Sequence, residues 1–142
     1  MSEKIMIVGE SNPWGSGPGY ELYPYPDGCA GHRLCVKIFG MSRKAYLDTF
    51  DRCNLCVGKW SIKEARIAAA NLAGRRLILC GSKVCSAAGL PFEPFQIVQG
   101  GNVLLLPHPS GLCRLWGIAG AIQTAREKLR EFAPELAEII GK

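Results

Sequence analysis

The chain has 142 residues, enough for one domain with its own core. Hydrophobic residues make up 48%, aromatic residues 8% and charged residues 20%, which excludes an intrinsically disordered chain. A formal net charge of +5 and a pI of about 8.9 permit a nucleic-acid partner without demanding one, and no apolar run is long enough to span a membrane.

Lys4-Ile-Met-Ile-Val-Gly9 reads as a buried strand, since a near-continuous apolar run suits the centre of a parallel sheet. No signal-peptide pattern precedes it, so the expected compartment is the cytoplasm. Glu10 to Gly28 is dense in Gly, Pro, Asn and Tyr and reads as a long, functional loop. Cys29 to Phe39 is predicted helical, with Gly40 as its stop. Ser42 caps a short helix to Thr49, and Phe50 to Cys56 is a second strand. Ser61-x-x-Glu64 is a capping box opening a helix with the stripe Ile62, Ala65, Ala69, Leu72, ended by Gly74.

Arg76 to Gly81 is the third strand, and Ser82 starts a short helix ending near Gly89. Gln96–Val98 and Val103–Pro107 form a hairpin or strand around Gly100-Gly101, and Val103–Pro107 is the last core strand. Leu115 to Phe132 is predicted as one long amphipathic helix with Ile118, Ile122, Ala125, Leu129 and Phe132 on one face. Pro134 suits the first turn of a final helix. Alternating strands and helices imply a parallel sheet covered on both faces, in a single domain over residues 1–142.

Seven cysteines, an odd number without a secretory signal, argue against a disulfide framework. Cys53-x-x-Cys56 has metal-ligand spacing, but no second such pair follows. Odd spacing in a strand sends the two to opposite faces. They are therefore read as reduced, small apolar residues with no metal.

In a parallel α/β sheet, ligands bind beyond the carboxyl ends of the strands. Three polar segments fall there: Gly9-Glu-Ser-Asn-Pro-Trp-Gly15, Asn54 within Arg52-Cys-Asn-Leu-Cys56, and Pro107-His-Pro-Ser-Gly-Leu-Cys-Arg114. Any one of them is compatible with plain turn chemistry. Three on one edge point to a site.

In order, these segments resemble the uracil-DNA glycosylase superfamily over nearly the whole chain. Pro-Ser-Gly-Leu-Cys-Arg114 is most similar to the mismatch-specific uracil glycosylases, while Gly9-Glu10 and Ala30-Gly-His-Arg-Leu34 look like the thermophile-type enzymes. The resemblance implies a three-layer α/β/α fold with a central, mainly parallel four-stranded sheet. It also implies hydrolysis of the glycosidic bond of uracil or another altered base flipped out of DNA. A base inside a duplex is unreachable and must be extruded. Cleavage then puts positive charge on the sugar and negative charge on the leaving base. It needs a positioned water on one side and donors at the base oxygen on the other.

The resemblance assigns His108 as the donor to the base carbonyl and Asn54 as the reader of the base edge, for which an amide has both donor and acceptor. It places Ser110, Gly111, Leu112 and Arg114 on the DNA backbone, with Leu112 either wedging into the vacated stack or packing against the last helix, like Trp116. The family sets its water-orienting residue two positions after the glycine and directly before Pro. Here that position is Ser11, and Asn12-Pro13 follows one residue later. Asn12 is the first candidate for the role and Glu10 the second. Pro13 and Trp14 wall the pocket, and Tyr25, with Tyr23 beside it, is the stacking aromatic. The iron–sulfur cluster of the thermophile-type enzymes is not expected, and no cofactor is implied.

Three functions follow as alternatives. One is a monomeric DNA glycosylase. Another is a nucleotide- or nucleoside-directed glycosidase or base-exchange enzyme on the same fold. The third is a non-catalytic nucleobase- or DNA-binding module.

Overall fold

A computed structural model describes residues 3–12 and 21–142 of the chain. The fold is α/β, with a five-stranded, mostly parallel sheet flanked by helices. β1 (Ile5–Asn12), β2 (Phe50–Val57), β3 (Leu77–Cys80) and β5 (Val103–Leu106) run parallel, and β4 (Ile97–Val98) lies antiparallel on β5. The spatial order is β2-β1-β3-β5-β4. The fifth strand corrects the four-stranded expectation. β4 is a two-residue edge strand paired antiparallel with β5, the pairing read from Gln96–Val98 and Val103–Pro107.

The strands sort side chains into two cores. Ile5, Ile7, Phe50, Ile78, Cys80, Leu104 and Leu106 face one layer, while Val8, Leu55, Leu77, Leu79, Val103 and Leu105 face the other. Both faces of β3 and β5 are buried, as their unbroken apolar runs require. α5 (Ala121–Phe132) covers the first face through Ala121, Ala125, Leu129 and Phe132. α1 (Ala30–His32), continued by a π-helical turn over Arg33–Ile38, and α2 (Arg43–Thr49) pack on the same side. α3 (Ile62–Ala70) and α4 (Ser82–Ala87) cover the second.

Local chemistry sets the helix ends. Ser42 Oγ accepts the Ala45 N–H and Ser61 Oγ the Glu64 N–H. The Ser61 N–H donates to Cys56 Sγ at 3.3 Å instead of to a Glu64 carboxylate, so the capping box is only half formed. The long helix predicted from Leu115 is broken. Arg114–Gly117 is a 3₁₀ turn, and α5 begins only after Gly120, which has φ 81°. Ile118 therefore leaves the core face and is 59% exposed. From Pro134 the chain makes a 3₁₀ turn over Pro134–Leu136.

All seven cysteines are free. Cys56 is buried in the α3–α4 layer and Cys53 packs against that same layer. The expected opposite-face placement fails because alternation breaks at the end of β2, where consecutive Leu55 and Cys56 are both buried on one side. Among the described residues no helix is long and apolar enough to cross a membrane, and no three His, Cys, Asp or Glu side chains are grouped to hold a metal ion.

Candidate functional site

The parallel strands end on one edge of the sheet. There β1 delivers Glu10, β3 turns at Gly81 and β5 continues into Pro107-His108. His108 Nε2 lies 3.5 Å from Glu10 Oε2. Both side chains are partly buried, at 34% and 22% exposure. Gly81 lies beneath the pair: a Cβ built there would sit 3.3 Å from His108 Cβ and 3.4 Å from Glu10 Oε2. Its backbone, at φ 102° and ψ 160°, is one that only glycine adopts readily.

Hydrogen bonds hold His108 and the loop that follows it. The Ser110 N–H donates to its Nδ1 at 3.1 Å. In the neutral ring this leaves the hydrogen on Nε2, facing Glu10. The buried Trp116 indole donates to the His108 carbonyl at 2.8 Å and packs edge-on against Phe95. Arg33 Nε donates to the Pro109 carbonyl at 3.1 Å, tying the π-helical turn to this loop. Within the loop, the Leu112 N–H donates to Ser110 Oγ at 3.1 Å. Gly111 lies over Arg33. Leu112 is 92% exposed and takes no part in the core, while Arg114 is exposed at the start of the 3₁₀ turn.

Asn54 is paired in register with Gly9. Its Oδ1 comes within 2.4 Å of where a Gly9 Cβ would be. Gly9 lies inside β1, which runs three residues past the expected end at this glycine, and there it makes room for the amide on β2. Among the described residues the Asn54 side chain has no hydrogen-bond partner. Leu22 lies over the same glycine. It is held there by Tyr46, whose hydroxyl donates to the Leu22 carbonyl at 2.8 Å, and by Arg52 Nη1 donating to the Glu21 carbonyl at 2.9 Å. Burial holds the Tyr46 phenol well above its ordinary range.

Tyr25, the expected stacking aromatic, lies beside Tyr23 and Arg43. Its ring is half exposed, with the Arg43 guanidinium 4.5 Å from its centroid and the Tyr23 ring at 5.5 Å. Arg43 is in turn held by the Pro24 carbonyl and the Asp27 carboxylate. Asn12 ends β1 opposite Val57; its side chain, together with Pro13 and Trp14, lies outside the described residues.

Two neighbours escaped sequence reasoning. Lys83, the second residue of α4, brings Nζ to 4.0 Å from Glu10 Oε1 and 5.9 Å from the Trp60 ring. Gly81-Ser82 is a fourth polar turn at a strand end, and that position was the available signal. Cys80, fully buried under this edge, has its thiol pushed far up by burial, with Cys85 and Glu10 adding to the effect, so it is no nucleophile at neutral pH. A groove of about 660 Å³ between α3, α4 and the Gln99–Asn102 turn is lined mainly by Ala69, Ala73, Leu77, Leu90 and Val103 and shares no residue with the Glu10–His108 edge.

The edge therefore presents a carboxylate able to orient water, an imidazole N–H, and a free amide one strand away. Comparison with protein-family models, with curated proteins and with solved structures gives no match for this chain.

Proposed function

We propose that this chain is a DNA glycosylase on the three-layer fold of the uracil-DNA glycosylase superfamily, hydrolysing the glycosidic bond of uracil or another altered base. The observation that carries the proposal is the meeting of Glu10 and His108 at 3.5 Å over Gly81, with the Asn54 amide seated against Gly9. The chemistry requires these groups on one edge of the sheet, and residues far apart in the sequence supply them.

In this reading a flipped base takes over the Nε2–H that His108 directs at Glu10 in the free protein. His108 then stabilises charge developing on the base oxygen. Glu10, relieved of that hydrogen, orients the water toward the sugar carbon. Asn12 remains the alternative water-orienting residue. Asn54 reads the base edge with its donor and acceptor. Ser110 to Arg114 lie along the DNA backbone, with Leu112 entering the vacated stack. The enzyme acts as a monomer and needs no cofactor.

The test is incubation with labelled oligonucleotides carrying uracil opposite adenine or guanine, hydroxymethyluracil or xanthine, followed by alkaline scission. Abasic product from at least one substrate is expected, and none from any overturns the proposal. His108→Ala and Glu10→Gln are each expected to lower the single-turnover rate by about 10²–10³-fold. A parallel arm with free deoxyuridine separates a nucleoside-directed enzyme from one that needs DNA. Only the DNA-directed enzyme weakens steeply with salt.

A further inference from the structure

We propose that the groove between α3, α4 and the Gln99–Asn102 turn is a second ligand site, and that it takes a small aromatic acid: a flat ring system bearing one carboxylate. The groove encloses about 660 Å³, a size typical of sites for organic ligands. It lies where β3 and β5 begin, and Leu77 and Val103 line it there. The Glu10–His108 edge lies where the same strands end, so the two places can be filled independently.

Alanine shapes the groove. α3 contributes Ala69, the turn after it Ala73, and the end of α4 Ala88. Each side chain projects a single carbon, so the two helices enclose space here instead of interlocking side chains across it. Elsewhere a folded interior leaves few voids of this kind. The walls are smooth and apolar. A rigid ring enters such a slot with little to lose in conformational entropy, whereas a flexible chain must give up its rotamers.

Charge selects the acid. The lining holds Arg66 and Arg75 and, among the described residues, no Asp or Glu. Arg75 is already answered, with Nε 2.8 Å from the Glu3 carboxylate and Nη2 2.9 Å from that of Asp51. Those contacts fix it as part of the wall. Arg66 is exposed, and among the described residues its guanidinium has neither an ion-pair nor a hydrogen-bond partner. One unanswered positive charge beside an apolar slot calls for an apolar body with one negative charge. A carboxylate matches the guanidinium fork with two parallel hydrogen bonds. The amides of Gln99 and Asn102, exposed at the rim, add neutral donors.

The experiment titrates the nitrogen-labelled chain with naphthoate and follows the backbone amides by NMR. Saturable shifts are expected at Ala69, Ala73, Leu90 and Asn102, with Ser110 and Gly111 unmoved. Naphthalenemethanol, the same ring without the charge, should bind about threefold to tenfold more weakly. Arg66→Gln should bring naphthoate down to that level and leave the alcohol unchanged. Ala70 and Ala73 are both exposed in the lining, so a double variant Ala70→Phe/Ala73→Phe fills the groove without disturbing the core and should lose binding of both compounds. Decanoate, an equally charged but flexible acid, should bind more weakly than naphthoate. The proposal is overturned by the absence of saturable shifts, by shifts centred on the Glu10–His108 edge, by equal naphthoate binding in wild type and Arg66→Gln, by undiminished binding in the double variant, or by decanoate binding as tightly as naphthoate. The titration reads binding alone, so a protein inactive on every modified base would refute the glycosylase reading and leave this result standing by itself.

Discussion

The Asn54 side chain occupies the space that Gly9 leaves by having no Cβ, its Oδ1 only 2.4 Å from that position. The two residues are register partners on β1 and β2. Gly9→Ala is therefore expected to push Asn54 and Leu22 aside. Overpacking of this kind costs about 1–3 kcal/mol, readable as a lower urea midpoint. Asn54→Ala removes no packing of that kind, so its stability should stay close to the wild type while glycosylase turnover falls. Equal loss of turnover and stability in Asn54→Ala would reduce Asn54 to a structural residue.

Gly81 is a second spacer, between Glu10 and His108. Gly81→Ala meets two obstacles: a glycine-only backbone at φ 102° and contacts of 3.3–3.4 Å to His108 and Glu10. The backbone strain alone is worth about 1–3 kcal/mol. The expected outcome is a destabilised but folded protein in which the His108 signals shift and activity drops well beyond what the unfolded fraction explains. Full activity per folded molecule would show that the Glu10–His108 contact is not needed for turnover.

How much of this was legible in the sequence follows from the range of the interactions involved. β1, β3 and β5 were readable because strands buried on both faces leave unbroken apolar runs. The break before α5 was not, because Ile118 continues the helical stripe in the sequence while its own backbone is extended, at ψ 134°, and Gly120 turns left-handed after it. His108 could be placed on the functional edge because it follows a recognisable strand, and Asn54 because it is a polar residue in the C-terminal half of one. Their partners could not. Lys83 and Arg33 reach the site through side-chain geometry that spans helices, and Tyr25 is drawn to Arg43, 18 positions along the chain. No local pattern encodes either pairing.

Leu112 and Arg114 separate binding from folding. Leu112 is 92% exposed and Arg114 is exposed as well, so Leu112→Ser and Arg114→Ala should each change stability by less than about 0.5 kcal/mol. On duplex DNA carrying a target base, Leu112→Ser should slow capture of the flipped base. Arg114→Ala should weaken binding to all sequences alike and reduce the salt slope by about one. Unaltered binding and turnover in both variants would take this loop out of the DNA interface.

The cysteines set a limit at high pH. Burial pushes the thiols of Cys35 and Cys85 from the ordinary 9.0 up to about 11, and that of Cys80 further still. A thiol whose folded value is raised keeps its proton in the native state and loses it on unfolding. Its contribution is fully present below the unfolded value and disappears as pH rises through the folded one. Each tenfold difference in proton affinity between the two states corresponds to about 1.4 kcal/mol. Urea midpoints should therefore hold level up to about pH 9 and fall steadily toward pH 11, and Cys80→Ala should flatten that fall. Thiol reagents at neutral pH should reach the partly exposed Cys29 and Cys113 before the buried Cys35, Cys56, Cys80 and Cys85. Midpoints that stay level through pH 11, or early labelling of Cys80, would mean that the core opens far more readily than its packing implies.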